Sequence, residues 1–403
     1  MAQKREDNLE KEKLLAEIER LKKELKKRKK YGLVWEEKPE EVVEMCKEKL
    51  PVLKEVKSKE IMTDSDKPVN LLIEGDNYHA LSVLNYTHEK TVDLVFFDPP
   101  YNTGSNENKD FKYNDSYVDK EDSFRHSKWL SFMSKRLLLA KNLLKNSGLL
   151  FITIDDNEYA QLKLLCDEIF LEKNFIINIV WQSRRSVSND AIISQNHNYI
   201  LFYARNKDWL QENKSDFRLP ANKEKFTNPD NDPNGDWVAD PFDAPNIRPN
   251  LTYPIKNPNT GKIYMPPNGR CWRTTEEQYK EFLTRGMIVF GKTGKGKPQL
   301  KRYLKDISEH STTPTSWWDD VGTTTEGTKE LIKIFGEAVF NNPKPTNLMK
   351  KIIQLSLRKP GIVLDFFAGS ASTLIQFLIK FLKTEFNASL LCVQIMKMRF
   401  AIE

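Results

Sequence analysis

Residues 94–105 read LVFFDPPYNTGS, and this stretch decides the fold. An apolar run typical of a buried strand ends abruptly in Asp98, two prolines and Tyr101. Prolines at the carboxyl end of a strand cost no hydrogen bonds of the sheet, and they stiffen the turn that follows. In an open α/β sheet, ligands bind outside the carboxyl ends of the strands. The stretch therefore predicts a rigid turn at a ligand-binding edge.

The chain around this turn alternates between apolar strands and helices. A helix stopped by Gly148 is predicted at 129–145 and another at 374–383, and strands are predicted at 70–76, 91–98, 149–155, 175–181, 199–204 and 390–395. One further strand, which begins at residue 361, leads into the small-residue turn DFFAGSA at 365–371. Continuous apolar strands that alternate with helices indicate a parallel sheet covered on both faces. The sequence thus predicts an α/β fold.

Composition and charge argue against several classes of protein. No apolar run reaches the roughly 18 residues that span a bilayer, and the N-terminus is charged, so we expect no membrane contact, no secretory signal and a cytoplasmic location. The four cysteines lie far apart without a CxxC pair, which favours reduced thiols over disulfides or a metal site. The net charge of +6 permits an anionic partner but does not identify one.

Three segments differ from the α/β pattern. Residues 1–30 have the periodicity of a charged helix with a short a/d seam, which is compatible with a homodimer and equally with a solvated extension. Residues 226–270 hold nine of the 20 prolines and predict an irregular inserted region. Residues 284–305 carry seven Lys or Arg and no Asp or Glu, which suits phosphate contacts or, alternatively, a solvated basic face.

The basic segment also contains a nucleotide-binding pattern. Residues 286–293, GMIVFGKT, satisfy GxxxxGK[ST]. A phosphate-binding loop needs a strand before its first glycine, whereas 280–285 is helical in pattern and 287–290 resembles a strand. We therefore interpret the segment as a strand followed by a basic turn.

The turn at 98–101 presents groups that suit one kind of ligand. The Asp98 carboxylate and the Pro99 carbonyl are two fixed acceptors, and the Tyr101 ring is a stacking face. Two acceptors suit an NH₂ group, and a ring face suits a planar base. A bare PPY turn would more simply cap a strand. The small residues at 368–371 let a ligand approach a helix N-terminus, although tight packing explains many such turns.

DPPY after one strand, combined with FAGS at 367–370 after another, resembles the S-adenosylmethionine-dependent amino-methyltransferases of DNA, in the motif order of their β group. Four further segments resemble the adenine-specific modification subunits of type III restriction–modification systems: 71–84, 196–206, 316–331 and 340–353. The resemblance implies a circularly permuted Rossmann-like sheet, S-adenosyl-L-methionine as cofactor, double-stranded DNA as substrate and a helicase–nuclease restriction subunit as partner.

The resemblance also assigns roles to residues by position. The implied catalytic residues are Asp98, Pro99, Pro100 and Tyr101. Asp98 and the Pro99 carbonyl would hold the exocyclic amino group of a flipped-out adenine, and Tyr101 would stack on the base. Asp before PPY points to adenine N6, with cytosine N4 as the alternative. The implied cofactor-binding residues are Asp76, Asn77, Lys344, Pro345, Asn347, Asp365, Phe367, Gly369 and Ser370. The basic segment contributes the expected DNA contacts Lys292, Lys295, Lys297, Lys301 and Arg302.

The predicted organisation has four parts. These are a charged helical extension at 1–60, a catalytic half at 61–181, a DNA target-recognition region at 182–335, to which 196–206 adds a core strand, and a cofactor half at 336–403.

Two features near the C-terminus depart from the family pattern. Ala371 stands where the family usually has glycine, and Met396-Lys397 stand where it presents an acid to the cofactor ribose. With the chain stopping at Glu403, the pattern suggests an incomplete cofactor half. The competing hypothesis is therefore a truncated DNA-recognition subunit with little or no catalysis.

Overall fold

The computed structural model describes residues 33–60, 70–104, 110–308, 310–357, 361–369 and 389–394. The predicted helices at 1–30 and 374–383 lie outside these residues, as do Ser370, Ala371 and Met396-Lys397. In the ranges just given, no helix is long and apolar enough to cross a membrane. The chain divides into two compact units, of which the second comprises residues 214–314.

Helices and strands alternate through most of the chain. The helices are α1 (Glu41–Glu48), α2 (Asn77–Thr87), α3 (Arg125–Leu143), α4 (Tyr159–Cys166), α5 (Lys207–Glu212), α6 (Glu276–Thr284), α7 (Thr324–Phe335) and α8 (Thr346–Ser356). The strands are β1 (Leu71–Glu74), β2 (Val92–Phe97), β3 (Lys112–Tyr113), β4 (Ser116–Tyr117), β5 (Leu144–Ile154), β6 (Phe175–Trp181), β7 (Asn198–Ala204), β8 (Leu219–Pro220), β9 (Trp237–Pro241), β10 (Asp243–Pro245), β11 (Ile255–Lys256), β12 (Ile263–Tyr264), β13 (Arg270–Trp272), β14 (Ile288–Val289), β15 (Gln299–Tyr303), β16 (His310–Thr312), β17 (Trp317–Trp318), β18 (Ile362–Asp365) and β19 (Ser389–Gln394).

The first unit contains an eight-stranded mixed sheet in the order β1-β19-β18-β2-β5-β7-β6-β17. Strand β7 runs antiparallel to its neighbours β5 and β6, and the other pairs are parallel. The prediction of a parallel sheet is therefore wrong at this strand. An apolar run buried on both faces has the same pattern in either direction, so the sequence contained no sign of the reversal.

Most predicted elements of the first unit are confirmed. Strand β6 has the predicted bounds, and β1, β2 and β7 agree to within a few residues. The exception is the helix before β5. It ends at Leu143, and the strand starts at once at Leu144, so Gly148 lies inside the strand rather than stopping the helix.

One face of the sheet packs against helices in a shared apolar core. The side chains of Leu94, Val95 and Phe97 in β2 are completely buried. Helix α3 packs on Val95 and Phe97 with a buried face that includes Trp129 and Met133. Since apolar burial is the dominant favourable contribution to folding, this packing fixes the carboxyl ends of the central strands. The turns after β1, β18 and β2 consequently leave the sheet at one edge.

The second unit has a core of its own, formed by Phe242, Trp272 and other aromatic and aliphatic side chains around them. Its strands are short and pair in small antiparallel sheets, as expected for the proline-rich stretch. In the basic segment, α6 precedes Gly286, and β14 follows it directly. The prediction of a strand and a turn is therefore confirmed for residues 286–293.

The second unit, at 214–314, contains fewer residues than the recognition region predicted at 182–335. Residues 182–213 and 315–335 belong to the first unit, where they form β7, α5, β17 and α7. Strand β7 pairs with β5 from Tyr199, opposite Ile154, to Ala204, opposite Leu149.

Candidate active site

The Asp98 carboxylate follows β2 and receives a hydrogen bond on each oxygen. Thr153 Oγ1 donates to Oδ1 at 2.5 Å, and Lys344 Nζ donates to Oδ2 at 2.5 Å. Thr153 is completely buried in the neighbouring strand β5, and Lys344 is 7% exposed. Charge-assisted hydrogen bonds of this kind are about twice as strong as neutral ones. The carboxylate is thus held in one orientation from two sides.

The two prolines differ in what their carbonyl groups contact. The Pro100 carbonyl accepts a hydrogen bond of 2.8 Å from Nε1 of Trp129, whose side chain is completely buried in α3. No residue in the described part of the chain donates to the Pro99 carbonyl. The turn therefore keeps one carbonyl available beside the Asp98 carboxylate.

The Tyr101 ring lies beside the same carboxylate. Lys344 Nζ is 5.0 Å from the ring centroid, within the range of a cation–π contact. Burial and the nearby Asp98 charge raise the pKa of Tyr101 well above its usual value, so the phenol stays neutral. The Asp110 carboxylate holds the backbone of this turn, because it accepts hydrogen bonds from Tyr101 N at 2.6 Å and from Thr103 N at 3.0 Å.

A buried polar cluster lies behind the turn, and sequence reasoning missed it. Asn102 adopts a left-handed conformation with φ of 57°, and its Nδ2 donates to Glu158 Oε1 at 2.6 Å. His126 Nδ1 lies 2.7 Å from the same oxygen. Glu158 is completely buried, and burial raises its pKa to about 8. Among the residues described, Glu158 Oε2 and Asn102 Oδ1 have no hydrogen-bond partner.

The turn after β1 contacts the turn after β18. Asp76 caps α2 by accepting a 2.7 Å hydrogen bond from Tyr78 N, and its side chain stays 34% exposed. Asn77 Nδ2 donates to the Phe366 carbonyl at 3.0 Å. The two predicted cofactor elements are therefore in direct contact, and the Asp76 carboxylate remains accessible.

A buried arginine supports this contact from below. Arg136 Nε donates to Asn77 Oδ1 at 2.5 Å, and its guanidinium binds both carboxylate oxygens of Glu40 at 2.7 and 3.1 Å. Arg136 is completely buried, and Glu40 is 4% exposed. No local pattern in the sequence predicts this pair, because the two residues lie 96 positions apart.

The turn after β18 has the features of a close ligand approach. Asp365 is buried and accepts a 3.1 Å hydrogen bond from Phe367 N. The Phe367 ring packs 5.8 Å from that of Phe97. Gly369 has a φ of 51°, and a side chain there would come within 3.1 Å of the Phe340 ring. The backbone conformation thus favours glycine at this position.

Three predicted cofactor residues belong to the segment PKPTN at 343–347, and the structure places them in two locations. Lys344 contacts Asp98 in the catalytic turn. Pro345 and Asn347 line a cavity of about 400 Å³, whose other lining residues are Arg185, Asp320, Gly322, Glu326, Lys329 and Glu330. The structure therefore joins Lys344 to Asp98 of the predicted catalytic set and leaves Pro345 and Asn347 at the cavity.

Four of the five predicted DNA-contact residues are exposed: Lys292, Lys295, Lys297 and Arg302. Lys301 differs from them, since it is 5% exposed and its ammonium contacts the carboxylates of Asp230 and Asp232, each at 2.5 Å. Its position in β15 places it on the same face as the buried Tyr303. Lys301 therefore holds the second unit together and presents no charge to a phosphate.

Metal ligation has no candidate among the residues that the structure describes, where no group of three or more His, Cys, Asp or Glu is arranged to hold an ion. The site instead combines a fixed carboxylate, an open carbonyl and an aromatic ring, at the edge where the Asp76 and Gly369 turns meet. This arrangement suits recognition of a planar ring that bears an amino group.

The chain matches the DNA methylase family over residues 92–378, and it belongs to that family. The Mod subunit of the type III restriction–modification enzyme StyLTI from Salmonella typhimurium is 39% identical over 336 residues, covering 75% of this chain and 49% of the relative. The type II methyltransferase M.KpnI from Klebsiella pneumoniae is 32% identical over 329 residues, covering 74% of each chain.

The chain thus spans about half the length of the StyLTI subunit. Among solved structures, the PvuII DNA methyltransferase, a cytosine-N4-specific enzyme, has a TM-score of 0.41 and 10% identity, covering 82% of this chain and 83% of its own.

Proposed function

We propose that this chain transfers a methyl group from S-adenosyl-L-methionine to N6 of adenine in double-stranded DNA, as the modification subunit of a type III restriction–modification system. The observation that supports it most directly is the Asp98 carboxylate fixed between Thr153 and Lys344, next to a Pro99 carbonyl that accepts from no described residue. Family membership makes the nucleobase amino group the expected substrate.

The mechanism begins with the two acceptors of the catalytic turn. The lone pair of an adenine amino group is delocalised into the ring, so the nitrogen is a poor nucleophile. Hydrogen bonds from its two hydrogens to the Asp98 carboxylate and the Pro99 carbonyl favour the pyramidal form, in which the lone pair is available. The neutral Tyr101 ring offers a face on which the base stacks.

Lys344 competes with the incoming base for the Asp98 carboxylate. Its ammonium contacts the oxygen Oδ2 at 2.5 Å, leaving fewer positions for an incoming amino donor. A carboxylate oxygen accepts about two hydrogen bonds, so the base shares this oxygen with Lys344 or displaces it. In either case, Lys344 orients the Asp98 carboxylate before the base arrives.

The residues at the neighbouring turns fit the proposed cofactor. Asp76 offers an accessible carboxylate at the start of α2, and the Gly369 turn offers a left-handed backbone without a side chain. We assign Asp76 and Asn77 to the adenine end of the cofactor and Asp365, Phe367 and Gly369 to its methionine end. S-adenosyl-L-methionine supplies an electrophilic methyl group when it is bound.

The motif order supports a circular permutation of the methyltransferase sheet. Strand β2, which carries DPPY, precedes β18 in the chain, although the two strands are direct neighbours in the sheet. We infer the β-group arrangement from this order. Asp in the first position of DPPY favours adenine N6, and cytosine N4 is the alternative that the assay below separates.

The second unit is our candidate for DNA target recognition. Its exposed Lys292, Lys295, Lys297 and Arg302 suit phosphate contacts, which position a protein on DNA without reading its sequence. We further propose a restriction subunit as a partner, a homodimer and a cytoplasmic location. Copurification with a coexpressed restriction subunit and sedimentation of the purified chain test the first two.

The central test follows a labelled methyl group into DNA. Duplex DNA is incubated with the chain and S-adenosyl-L-methionine that carries a tritiated methyl group, and the nucleosides are then separated. We expect the label in N6-methyladenine. Asp98→Ala should remove it while DNA affinity changes by less than about threefold, because the residue is not a phosphate contact. The control Asp208→Ala alters an exposed carboxylate in α5 and should leave methylation unchanged.

Other outcomes separate the competing functions. Label in N4-methylcytosine would redirect the assignment to cytosine. DNA binding by the wild-type chain without label in either nucleoside would favour a DNA-recognition subunit without catalysis.

A further inference from the structure

The loop between β6 and β7 carries two adjacent isoleucines that are almost fully exposed. Residues 182–197 form this loop, and the relative exposures of Ile192 and Ile193 are 103% and 85%. Val187 on the same loop is 69% exposed. Single exposed apolar side chains are common, but a contiguous group at the tip of a loop indicates a contact surface.

Side-chain hydrogen bonds close the neck of this loop. Ser194 Oγ accepts from Ser188 N at 2.9 Å and donates to Asn196 Oδ1 at 2.7 Å. Asn196 Nδ2 in turn donates to the carbonyls of Arg184 and Ser186. The bonds tie the two arms together on both sides of the tip. The isoleucines are therefore presented by a closed, internally bonded loop.

The loop leaves the sheet at the edge that carries the catalytic turn. Tyr199, at the start of β7, pairs with Ile154 at the end of β5, and β5 is the direct neighbour of β2. Gln195 Nε2 also donates to Asp156 Oδ2 at 2.5 Å, just beyond the end of β5. Thr153, three positions before Asp156, is the residue that holds Asp98. One short segment thus contacts both the loop and the catalytic carboxylate.

The charge at the loop neck suits an anionic partner. Arg184 and Arg185 are exposed there, and Asp190 is the one acidic residue within 182–197. Arg185 Nη1 lies 3.3 Å from Glu326 Oε1, so this guanidinium already has an acidic partner. Arg184 Nε donates to Ser186 Oγ, and its terminal nitrogens make no hydrogen bond or ion pair with a residue that the structure describes. A guanidinium placed in this way can bind a phosphate group.

We propose that Ile192 and Ile193 form an apolar wedge that enters double-stranded DNA beside the target base. The wedge fills the space that the base leaves when it turns out of the duplex toward Asp98, and Arg184 contacts a flanking phosphate. Apolar side chains that enter between base steps unstack them, and an extruded base must regain its lost stacking elsewhere. The proposal rests on the proposed function, since it concerns how the same site obtains its base.

The test compares Ile192→Ala/Ile193→Ala with the wild-type chain on a short duplex. Its sequence is the site that the wild type methylates, as located by mapping methylated adenines. The fluorescent base 2-aminopurine replaces the target adenine and brightens when it leaves the stack. We expect at least about a tenfold weaker brightening and a similarly slower methylation of the unmodified duplex. Pairing the target with an abasic position lowers the cost of extrusion and should restore methylation to within about threefold of the wild type.

A matched control removes the same atoms elsewhere. Ile332→Ala/Ile334→Ala alters two exposed isoleucines in α7 and should behave like the wild type in both assays. Full brightening by the Ile192/Ile193 double variant would overturn the wedge, as would a methylation defect that the abasic partner does not rescue. A change of oligomeric state in that variant would make the loop a contact between copies and overturn it too. A wild-type chain that methylates no DNA would overturn the proposed function as well, an outcome distinct from these.

Discussion

Lys344 Nζ lies 2.5 Å from Asp98 Oδ2, although the two residues are 246 positions apart in the chain. The pair joins the DPPY turn after β2, in the predicted catalytic half, to the PKPTN segment at the start of α8, in the predicted cofactor half. Because Lys344 is almost completely buried, its charge has few other partners and depends on this carboxylate. The ion pair therefore couples folding of the domain to the geometry of the site.

The first prediction concerns the removal of this partner. Lys344→Ala leaves the Asp98 carboxylate with Thr153 as its remaining side-chain donor. We expect methyl transfer to fall at least about tenfold, and the free energy of unfolding to fall by about 1–3 kcal/mol. Urea unfolding and tritiated-methyl transfer measure the two effects.

A second lysine provides the control for Lys344. Lys351 in α8 pairs with Asp320, whose side chain is 64% exposed. A pair with a solvated partner contributes about 1 kcal/mol at most, so Lys351→Ala should change stability little and leave methylation unchanged. Equal loss of methylation in both variants would refute a specific role for Lys344.

The second prediction is a pH dependence from Glu158. Its pKa of about 8 in the folded protein compares with 4.5 for the unperturbed side chain. Between these pH values the folded state holds a proton that the unfolded chain has released, so wild-type stability declines as pH rises toward 8. Glu158→Gln keeps an acceptor for Asn102 but does not titrate. Its stability relative to the wild type should therefore increase between pH 5 and 8, by up to about 1.4 kcal/mol per pH unit.

Thermal unfolding across this pH range checks the Glu158 prediction. Glu172→Gln is the control, because Glu172 is exposed and its substitution should leave the pH profile of stability unaltered. A constant difference between Glu158→Gln and the wild type across the range would contradict the raised pKa.

The third prediction concerns the ion pair of Arg136 and Glu40. Arg136→Met leaves a buried carboxylate without its partner, which typically costs about 3–5 kcal/mol in the free energy of unfolding. Adding Glu40→Met removes the unpaired charge and should recover part of that loss.

The exposed pair of Arg285 and Glu281 is the control, and Arg285→Met should cost less than about 0.5 kcal/mol. Urea unfolding of the single and double variants completes the cycle, and additive losses would show that the two side chains are not coupled.

The sequence predicted what depends on local pattern. The apolar runs around residues 92–97 and 175–181 predicted strands, and the DPPY motif predicted that Asp98 follows the end of a strand. The partners of that residue were not predictable, because Thr153 and Lys344 come from distant segments whose contact depends on the tertiary packing. The same applies to Glu158, whose burial sets its pKa.

One error had a local signal that was available. In β15 the side chains alternate, so Lys301 shares a face with Tyr303, and Arg302 faces the opposite side. A count of basic residues ignores this two-residue period, whereas the period itself separates exposed from buried positions. The reversed direction of β7 had no such signal, because the strand is apolar along both faces.

The last prediction uses the difference between buried Lys301 and the exposed lysines of the basic turn to locate the DNA surface. Replacing Lys292, Lys295 and Lys297 by alanine removes three exposed charges of the basic turn. If all three contact phosphates, the slope of log affinity against log salt should decrease by about 3, with similar weakening for every DNA sequence. Lys301→Ala should leave the slope unchanged and instead destabilise the second unit, because Asp230 and Asp232 lose their shared cation. Filter binding at several salt concentrations measures the slopes, and an unchanged slope in the triple variant would place the DNA surface on another part of the chain.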